Sequence, residues 1–416
     1  MYNFIGDNPT TLYKNALDAL IKEGDEVRPR DKLVKELRPT AIEFTNPLNR
    51  TTFLGTRKIN PFFQIAESLW IISGRADVDW LTKFNANMAT FSDDGKSFNA
   101  SYGERIVCWG NNSPRGIKSD NQLNQIIDVY KRFIADKDTR QATIAIGNPS
   151  FDNYDYLVGG GKDIACNLYI TFKIRHNKLT MTVFNRSNDL HWGTFGANLC
   201  QFTTIQELLC SMLRNSGYKK FENLELGTYC QFTDSLHIYM EDYGAKINDE
   251  VLNYYNEHEY VEPHFECKNE PRMNMSIYQF AEFIQEYWKI IDPLISDDKF
   301  FANVDYGVSS AALDSLIESF RQRGIIDDYW AFACKSMYLY RHYKMGNYKY
   351  VQEILDELPS CMWKISMMHF IKDKLSKELF SKDSNSMYHY QEQVASILDD
   401  LVDENSRDAV RSYIEV

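Results

Sequence analysis

The 416-residue chain has no excess of basic residues: 46 lysines and arginines stand against 58 aspartates and glutamates, a formal net charge of −12. General affinity for nucleic acid is therefore not expected, although a local basic pocket for one phosphate is still allowed. No apolar run approaches the roughly 20 residues of a membrane span, and no membrane contact is expected. The opening MYNFIGDNPTTLYKN lacks the basic and apolar regions of a secretory signal, so a cytoplasmic protein is expected, in the host cytoplasm if the chain is viral. Eight cysteines are scattered with no CxxC pair, which indicates reduced thiols rather than a disulfide framework. Eight histidines are equally dispersed with no HExxH pairing, so no metal site is expected. Gly159-Gly160-Gly161 is not followed by the Gly-Lys-Ser/Thr of a P-loop and reads as a flexible connection.

What is present is apolar bulk. Hydrophobic residues make up 44% of the chain and aromatic residues 14%, enough for one large domain and a smaller one. Residues 163–198 carry the chemistry. Two alternating runs rich in Ile, Val, Thr, Phe and Tyr flank a polar turn at His176-Asn177-Lys178, the pattern of a β-hairpin. A tight turn makes paired residue numbers sum to about 353–355, which sets Cys166 across from roughly Ser187–Asp189. A thiol, the Arg186 guanidinium, a hydroxyl and a carboxylate then converge at one end of a ribbon. An arginine beside a thiol favours the nucleophilic thiolate, and arginine also grips phosphate in a bidentate manner.

Elsewhere, residues 9–24 read as an amphipathic helix ending at Gly24, followed by a charged loop that holds Arg28, Pro29 and Arg30. Asn60-Pro61 starts a helix, FFQIAESLWIISG, that is apolar on all sides and therefore buried. Glu67 lies inside it, and a buried carboxylate must be paired, hydrogen-bonded or protonated. Further helices are expected over 78–88, 121–136 and 198–214, with strands at ATIAIGN and 222–232. His237 and Tyr239 alternate in a strand-like run and share one face. After about residue 270 the pattern becomes helical: 276–295, 309–324, 328–345, 348–358 and 362–380, then a polar stretch, 381–416, with a short amphipathic helix. This tail reads as a packing, assembly or partner-contact appendage.

These residues in this order resemble the thymidylate synthase and pyrimidine-nucleotide hydroxymethylase superfamily. The matching motifs are AESLWIISG with Glu67, SYGERI with Tyr102, DTRQA with Arg140, Cys166, the Arg186-Ser187-Asn188-Asp189 string with Gly193, and DSLHIY with His237 and Tyr239. The resemblance spans about residues 25–245. It implies an α+β fold, a thymidylate synthase-like mixed β-sheet with packed helices, here with a C-terminal α-helical extension. The catalytic domain is set at 1–270 and the extension at 271–416. It also implies a homodimer with a shared phosphate site, a pyrimidine nucleoside monophosphate as substrate and 5,10-methylenetetrahydrofolate as co-substrate.

In that family the thiolate, here Cys166, adds to pyrimidine C6 and makes C5 nucleophilic. Glu67 and Tyr102 then serve proton transfer, and Asn167 adjoins the nucleophile in the catalytic set. Arg28 or Arg30, Arg140 across the dimer, Arg186 and Ser187 hold the phosphate. His237 and Tyr239 hold the sugar 3′-hydroxyl, and Asp189 anchors the pterin. Asn reads a uracil edge and Asp a cytosine edge four residues after the glycine; here that position is Ala197, with Asn198 one residue later. An insertion that lets Asn198 take the role favours uracil.

The chain departs from thymidylate synthases in several places. It has Ala165-Cys166-Asn167 for Pro-Cys-His, Asn185 for Gln, Arg140-Gln141 for paired arginines, and well over a hundred extra residues. The departures, with an RSND string shared by phage hydroxymethylases, favour a hydroxymethyl product. Thymidylate synthesis, and a silent homologue acting as a binding module, stay open at this point.

Overall fold

The computed structural model describes residues 1–53, 57–110, 123–257, 262, 266–296, 306–404 and 406–414. The chain opens with a short strand, β1 (Tyr2–Gly6), that the sequence pattern did not single out. Helix α1 (Pro9–Glu23) follows; the Asn8 side chain accepts from Thr10 N, Pro9 presets the first turn, and Leu12, Ala16, Leu17 and Leu20 bury one face. Strands β2 (Asp25–Val27), β3 (Val34–Leu37) and β4 (Thr40–Phe44) come next. Helix α2 (Pro61–Ile72) is capped by Asn60, and all its residues are buried, as its unbroken apolar composition requires. Helices α3 (Val78–Phe84) and α4 (Tyr102–Val107) pack against it, and α5 (Gln125–Ala135) packs on α4 and on the strand Thr143–Ala145. The expected start of α5 at 121–122 lies outside the described residues.

The hairpin forms from β6 (Asn167–Arg175) and β7 (Lys178–Asn185), after β5 (Thr143–Ala145) and α6 (Tyr154–Val158). His176 and Asn177 both have positive φ, 50° and 58°, the conformation of a two-residue turn whose twist matches the strands. Pairs from Arg175↔Lys178 to Tyr169↔Phe184 follow the expected register, but Asn167 pairs with Asn185 because the ladder shifts between Asn167 and Tyr169. That irregularity corrects the register at the nucleophile: Cys166 O accepts from Arg186 N at 3.0 Å, so Arg186, not Ser187–Asp189, lies opposite. After β8 (Asn188–Asp189) come α7 (Leu199–Arg214), β9 (Glu225–Thr233), β10 (Leu236–Tyr239) and α8 (Asp242–Glu257).

The strands make two sheets. A mixed six-stranded sheet runs β1-β4-β9-β7-β6-β5, and a four-stranded sheet runs β2-β3-β10-β8. Ile170, Val183, Gln231 and Ile42 lie on one face of the large sheet, against the fully buried α7. The architecture is α+β. Among the described residues eight helices follow: α9 (Ile277–Glu286), α10 (Trp288–Ser296), α11 (Tyr306–Gln322), α12 (Asp328–Met345), α13 (Tyr348–Glu357), α14 (Met362–Leu375), α15 (Ser384–Leu401) and α16 (Arg407–Ile414). The stretch 381–416 thus holds an 18-residue helix and a second one, not one short helix; Tyr390, Val394, Ile397, Leu398 and Leu401 give α15 its buried stripe. The added helices share the core of the rest. Tyr340 of α12 stacks on Phe62 of α2 at 4.9 Å and on Phe84 of α3 at 5.4 Å.

Candidate active site

The end of the hairpin and the two-residue strand β8 build the centre. Cys166 is half-buried. Arg186 Nη2 lies 3.5 Å from its Sγ, and Ser187 Oγ lies 3.9 Å away. The guanidinium also donates from Nε to Ala165 O at 2.9 Å and from Nη2 to Ile164 O at 3.1 Å. These bonds hold it against the segment that delivers the thiol. Tyr102, at the first turn of α4, accepts from Asn167 N at 3.4 Å, and burial, then the neighbouring Cys166, raises its hydroxyl above the usual phenol range.

Glu67 is 8% exposed, and its Oε2 has no hydrogen-bond partner among the described residues. Burial pushes its carboxyl up to about 7, against a single opposing hydrogen bond from Gln201. It lines a cavity of 180 Å³ together with Tyr102, Asp163 and Ala165, so the carboxyl and phenol open beside the nucleophile's segment.

Residues Leu190–Asn198 form a π-helix between β8 and α7. A π turn takes up one more residue than an α turn, and such bulges concentrate at functional sites. The consequence is specific. Asn198, rather than Ala197, is buried in the site: its Nδ2 donates to Asn188 Oδ1 at 3.2 Å and to Asn167 Oδ1 at 3.3 Å. Asn188 Nδ2 in turn donates to Gln231 Oε1 at 2.5 Å, and Gln231 Nε2 donates to Thr194 O at 3.2 Å. Asn185 Nδ2 donates to Asn167 Oδ1 from the other side. The relay ends on a backbone carbonyl, which can only accept. That end fixes the amide orientation of Gln231, then Asn188, then Asn198. Gly193 is required here, because a Cβ on it would stand 1.9 Å from Asn188 Oδ1.

Asp189 accepts from Trp192 N at 2.5 Å through Oδ1, while its buried Oδ2 has no partner among the described residues. A pterin presents N–H donors, and an orphaned carboxylate oxygen fits one. The small sheet brings His237 and Tyr239 to the same place. β10 pairs with β8, with His237 opposite Asp189. The His237 and Tyr239 rings meet edge-on at 5.5 Å, and Arg30 Nη2 donates to Tyr239 OH at 3.4 Å. Arg30 holds a left-handed φ of 53°, a strained conformation for a non-glycine residue. Arg28 instead forms an exposed ion pair with Glu241 at 3.0 Å. Arg140 is exposed and is not brought to Cys166 of its own chain. Thr143 pairs with Thr171, so Arg140 stands roughly 25 Å from Cys166 along the sheet.

Sequence reasoning missed the part that several residues play in the site. Asn185 and Asn188 stand out in the motif string, but their linkage with Gln231 into one chain of amides gives no signal, because single amides have no periodic signature. His191 is fully buried; Nε2 donates to Asn248 Oδ1 (2.7 Å) and Nδ1 accepts from Tyr13 OH (2.6 Å). Burial holds its ring down at about 4, so it stays neutral and braces the π-helix. Among the described residues no group of three or more His, Cys, Asp or Glu side chains stands ready to hold a metal.

The sequence pattern of the thymidylate synthase family matches residues 11–292. The chain belongs to the thymidylate synthase family. Within it, the chain is 43% identical over 378 residues to a deoxyuridylate hydroxymethyltransferase of Bacillus phage SP01, covering 89% of this chain and 94% of that protein. A deoxyuridylate hydroxymethyltransferase of Pseudomonas phage M6 is 35% identical over 49% of this chain and 51% of its own. A putative thymidylate synthase of Methanocaldococcus jannaschii is 24% identical over 59% of this chain and 95% of its own. As a thymidylate synthase family enzyme, the protein is a one-carbon transferase acting at pyrimidine C5. The match to the phage SP01 protein includes most of the helical extension, so that extension is shared beyond this chain.

Proposed function

We propose that the protein converts dUMP to 5-hydroxymethyl-dUMP, with 5,10-methylenetetrahydrofolate as the one-carbon donor and tetrahydrofolate as co-product. The observation that carries the base choice is the orientation of Asn198. Uracil presents N3–H and O4; cytosine presents the reverse pattern, an N3 acceptor and an N4 donor. An amide reads either edge only by flipping, and a flip of Asn198 sets like atoms against each other at Asn188 and breaks the relay. The names of the phage relatives support the same substrate and the hydroxymethyl product.

In this reading Cys166 adds to C6, with the Arg186 guanidinium 3.5 Å from Sγ supplying positive charge to the thiolate. Negative charge passes to O4, where Glu67 delivers a proton, while Asn198, whose two Nδ2 hydrogens go to Asn188 and Asn167, accepts from N3–H through Oδ1. Tyr102 helps remove the C5 proton by orienting the water that accepts it, and Asn167 holds Asn198 and the Tyr102 hydroxyl together. Asp189 holds the pterin through Oδ2. The folate supplies the one-carbon unit when bound. His237 and Tyr239 hold the 3′-hydroxyl. Arg186, Ser187 and Arg30 form the phosphate clamp from one chain. Arg28 is engaged with Glu241 and serves the phosphate only by releasing it.

Arg140 completes the clamp from a second copy. Tyr169, Phe184 and Phe232 lie in register on the outer face of the large sheet, with Tyr169 and Phe184 open to solvent. Phe184 and Phe232 meet at 5.9 Å. Such an aromatic row on an open sheet face suits an isologous homodimer. The division into a catalytic domain, 1–270, and a helical extension, 271–416, belongs to the same proposal, the extension packing on α2 and α7.

The test is product mass spectrometry after incubation with methylenetetrahydrofolate and dUMP, dCMP, UMP or CMP separately. A hydroxymethyl increment on dUMP alone is expected. A methyl increment with dihydrofolate makes the protein a thymidylate synthase; a product from dCMP but not dUMP overturns the reading of Asn198.

A further inference from the structure

The hydroxymethyl outcome requires water, not hydride, to reach the exocyclic methylene carbon, and water is a weak nucleophile without a base. Glu67 and Tyr102 are already committed to O4 and C5. The cavity they line has one more ionisable wall, Asp163, three residues before the nucleophile. Asp163 and Glu67 are held differently. Asp163 Oδ2 accepts from Ala100 N at 3.2 Å, and the Asn99 amide adds a second hydrogen bond. Amide donors favour the anion. Glu67 is more than nine-tenths buried, faces the same space, and leaves Oε2 unpaired among the described residues. One cavity thus holds two carboxyls that burial raises, Glu67 with an unpaired oxygen and Asp163 with two amide donors on its carboxylate, and only Asp163 has donors that favour the form able to accept a proton.

We propose that Asp163 is the general base that activates the water which adds to the exocyclic methylene of the Cys166-bound pyrimidine. The step balances. The water oxygen forms the new C–O bond at the methylene carbon, and its proton passes to Asp163. The exocyclic double bond's electron pair moves to C5 and O4 as an enolate. The enolate then re-forms the C4 carbonyl and the C5=C6 bond, expelling Cys166 as thiolate. No oxidant or reductant is consumed. Asp163 also has the proton affinity that a general base needs. Burial, with Asp93 adding, pushes it up to about 6 against the two amide bonds and Arg105, so it is mostly ionised near neutrality and basic enough to act.

The inference rests on the hydroxymethylase reading, and Asp163→Asn tests it in the full-length enzyme. Asn keeps the shape and an acceptor for the Ala100 amide. Three quantities are read: hydroxymethyl product, tritium release from 5-tritiated dUMP, and the covalent complex with 5-fluoro-dUMP and methylenetetrahydrofolate, seen as intact protein mass. Product formation is expected to fall by about 100-fold or more, with the single-turnover burst of tritium release and the covalent complex within about twofold of wild type. An added small thiol should then intercept the methylene in place of water. A parallel loss of all three would mean that Asp163 only holds the 99–102 segment and Tyr102, and would overturn the proposal. Unchanged product formation would overturn it too. Asp163→Glu serves where the Asn variant fails to fold; it keeps the carboxylate, and recovery of product to within about tenfold of wild type is expected, whereas loss of all three readouts again sinks the idea. Absence of hydroxymethyl product from wild type is a separate outcome, which removes the hydroxymethylase reading itself.

Discussion

At the scale of single residues, Glu67 shows how function is set against stability. Its carboxyl sits at about 7 folded and at its ordinary 4.5 in the unfolded chain. Between those values the folded state binds more protons, so the stability this group allows is fully present below about pH 4.5 and is lost as pH rises through about 7. The full loss is about 3 kcal/mol. Glu67→Gln is expected to abolish this dependence, since an amide does not titrate. The variant should melt higher than wild type near pH 8, with the difference shrinking toward pH 5.5, while turnover falls by about 10²–10⁴. A melting difference that is the same at both pH values would show that Glu67 is ionised in the fold, and the proton-delivery role would go with it. Cys166 gives the complementary residue-level expectation. Cys166→Ala should lose turnover entirely yet retain dUMP binding by calorimetry, because the phosphate and sugar contacts lie on other residues.

At the scale of elements, the π-helix decides what the site reads. Asn198→Ala keeps the π turn but removes its amide from the relay. The expected result is a folded protein with dUMP affinity reduced by about 1–3 kcal/mol, the range for leaving a buried polar partner unmade. Retention of wild-type affinity and base choice would detach specificity from Asn198. The sequence carries this element only in part. The hairpin is legible because a period of two over nine and eight residues has few alternatives, and the motifs around it are dense in chemistry. The register shift beside Leu168 is not legible, since one residue out of step leaves composition unchanged. The π-helix is visible only as a spacing anomaly, Asn198 arriving one position late. β1 and α8 were not legible either: β1 is five residues long, and α8 buries only Gly244, Asn248 and Val251 of its sixteen. The small sheet is assembled from four strands of two to four residues that are far apart in the chain, so no local window contains it.

At the scale of the whole molecule, two contacts decide how the parts act together. Within one chain, Glu207 on α7 joins Arg50 at 2.6 Å and Arg272 at 2.9 Å, with Glu207 and Arg50 each 2% exposed. Burial opposes its charge, but the two arginines outweigh that and hold Glu207 below the usual carboxylate range. Its Oε1 also accepts from Met273 N at 3.1 Å, which ties the start of the extension to the centre of the core. Glu207→Gln leaves two buried or partly buried cations short of a partner and should cost about 3–5 kcal/mol, read as a fall in melting temperature.

Between chains, Arg140 stands too far from its own Cys166 to serve the same phosphate, and the open Tyr169–Phe184–Phe232 face offers a route for a second copy to present it. A test of sharing follows from symmetry. Cys166→Ala and Arg140→Ala are each expected to be inactive or nearly so when purified alone. Mixed and allowed to exchange subunits, half of the dimers are hybrids, and each hybrid has one site carrying both changes and one carrying neither. Activity should therefore return to about a quarter of wild type. Phe184→Asp, placed on the open face, should block that recovery and shift the protein to a monomer in sedimentation. If mixing restores nothing while both variants remain dimeric, Arg140 acts within its own chain or not at all, and the phosphate clamp reduces to Arg30, Arg186 and Ser187.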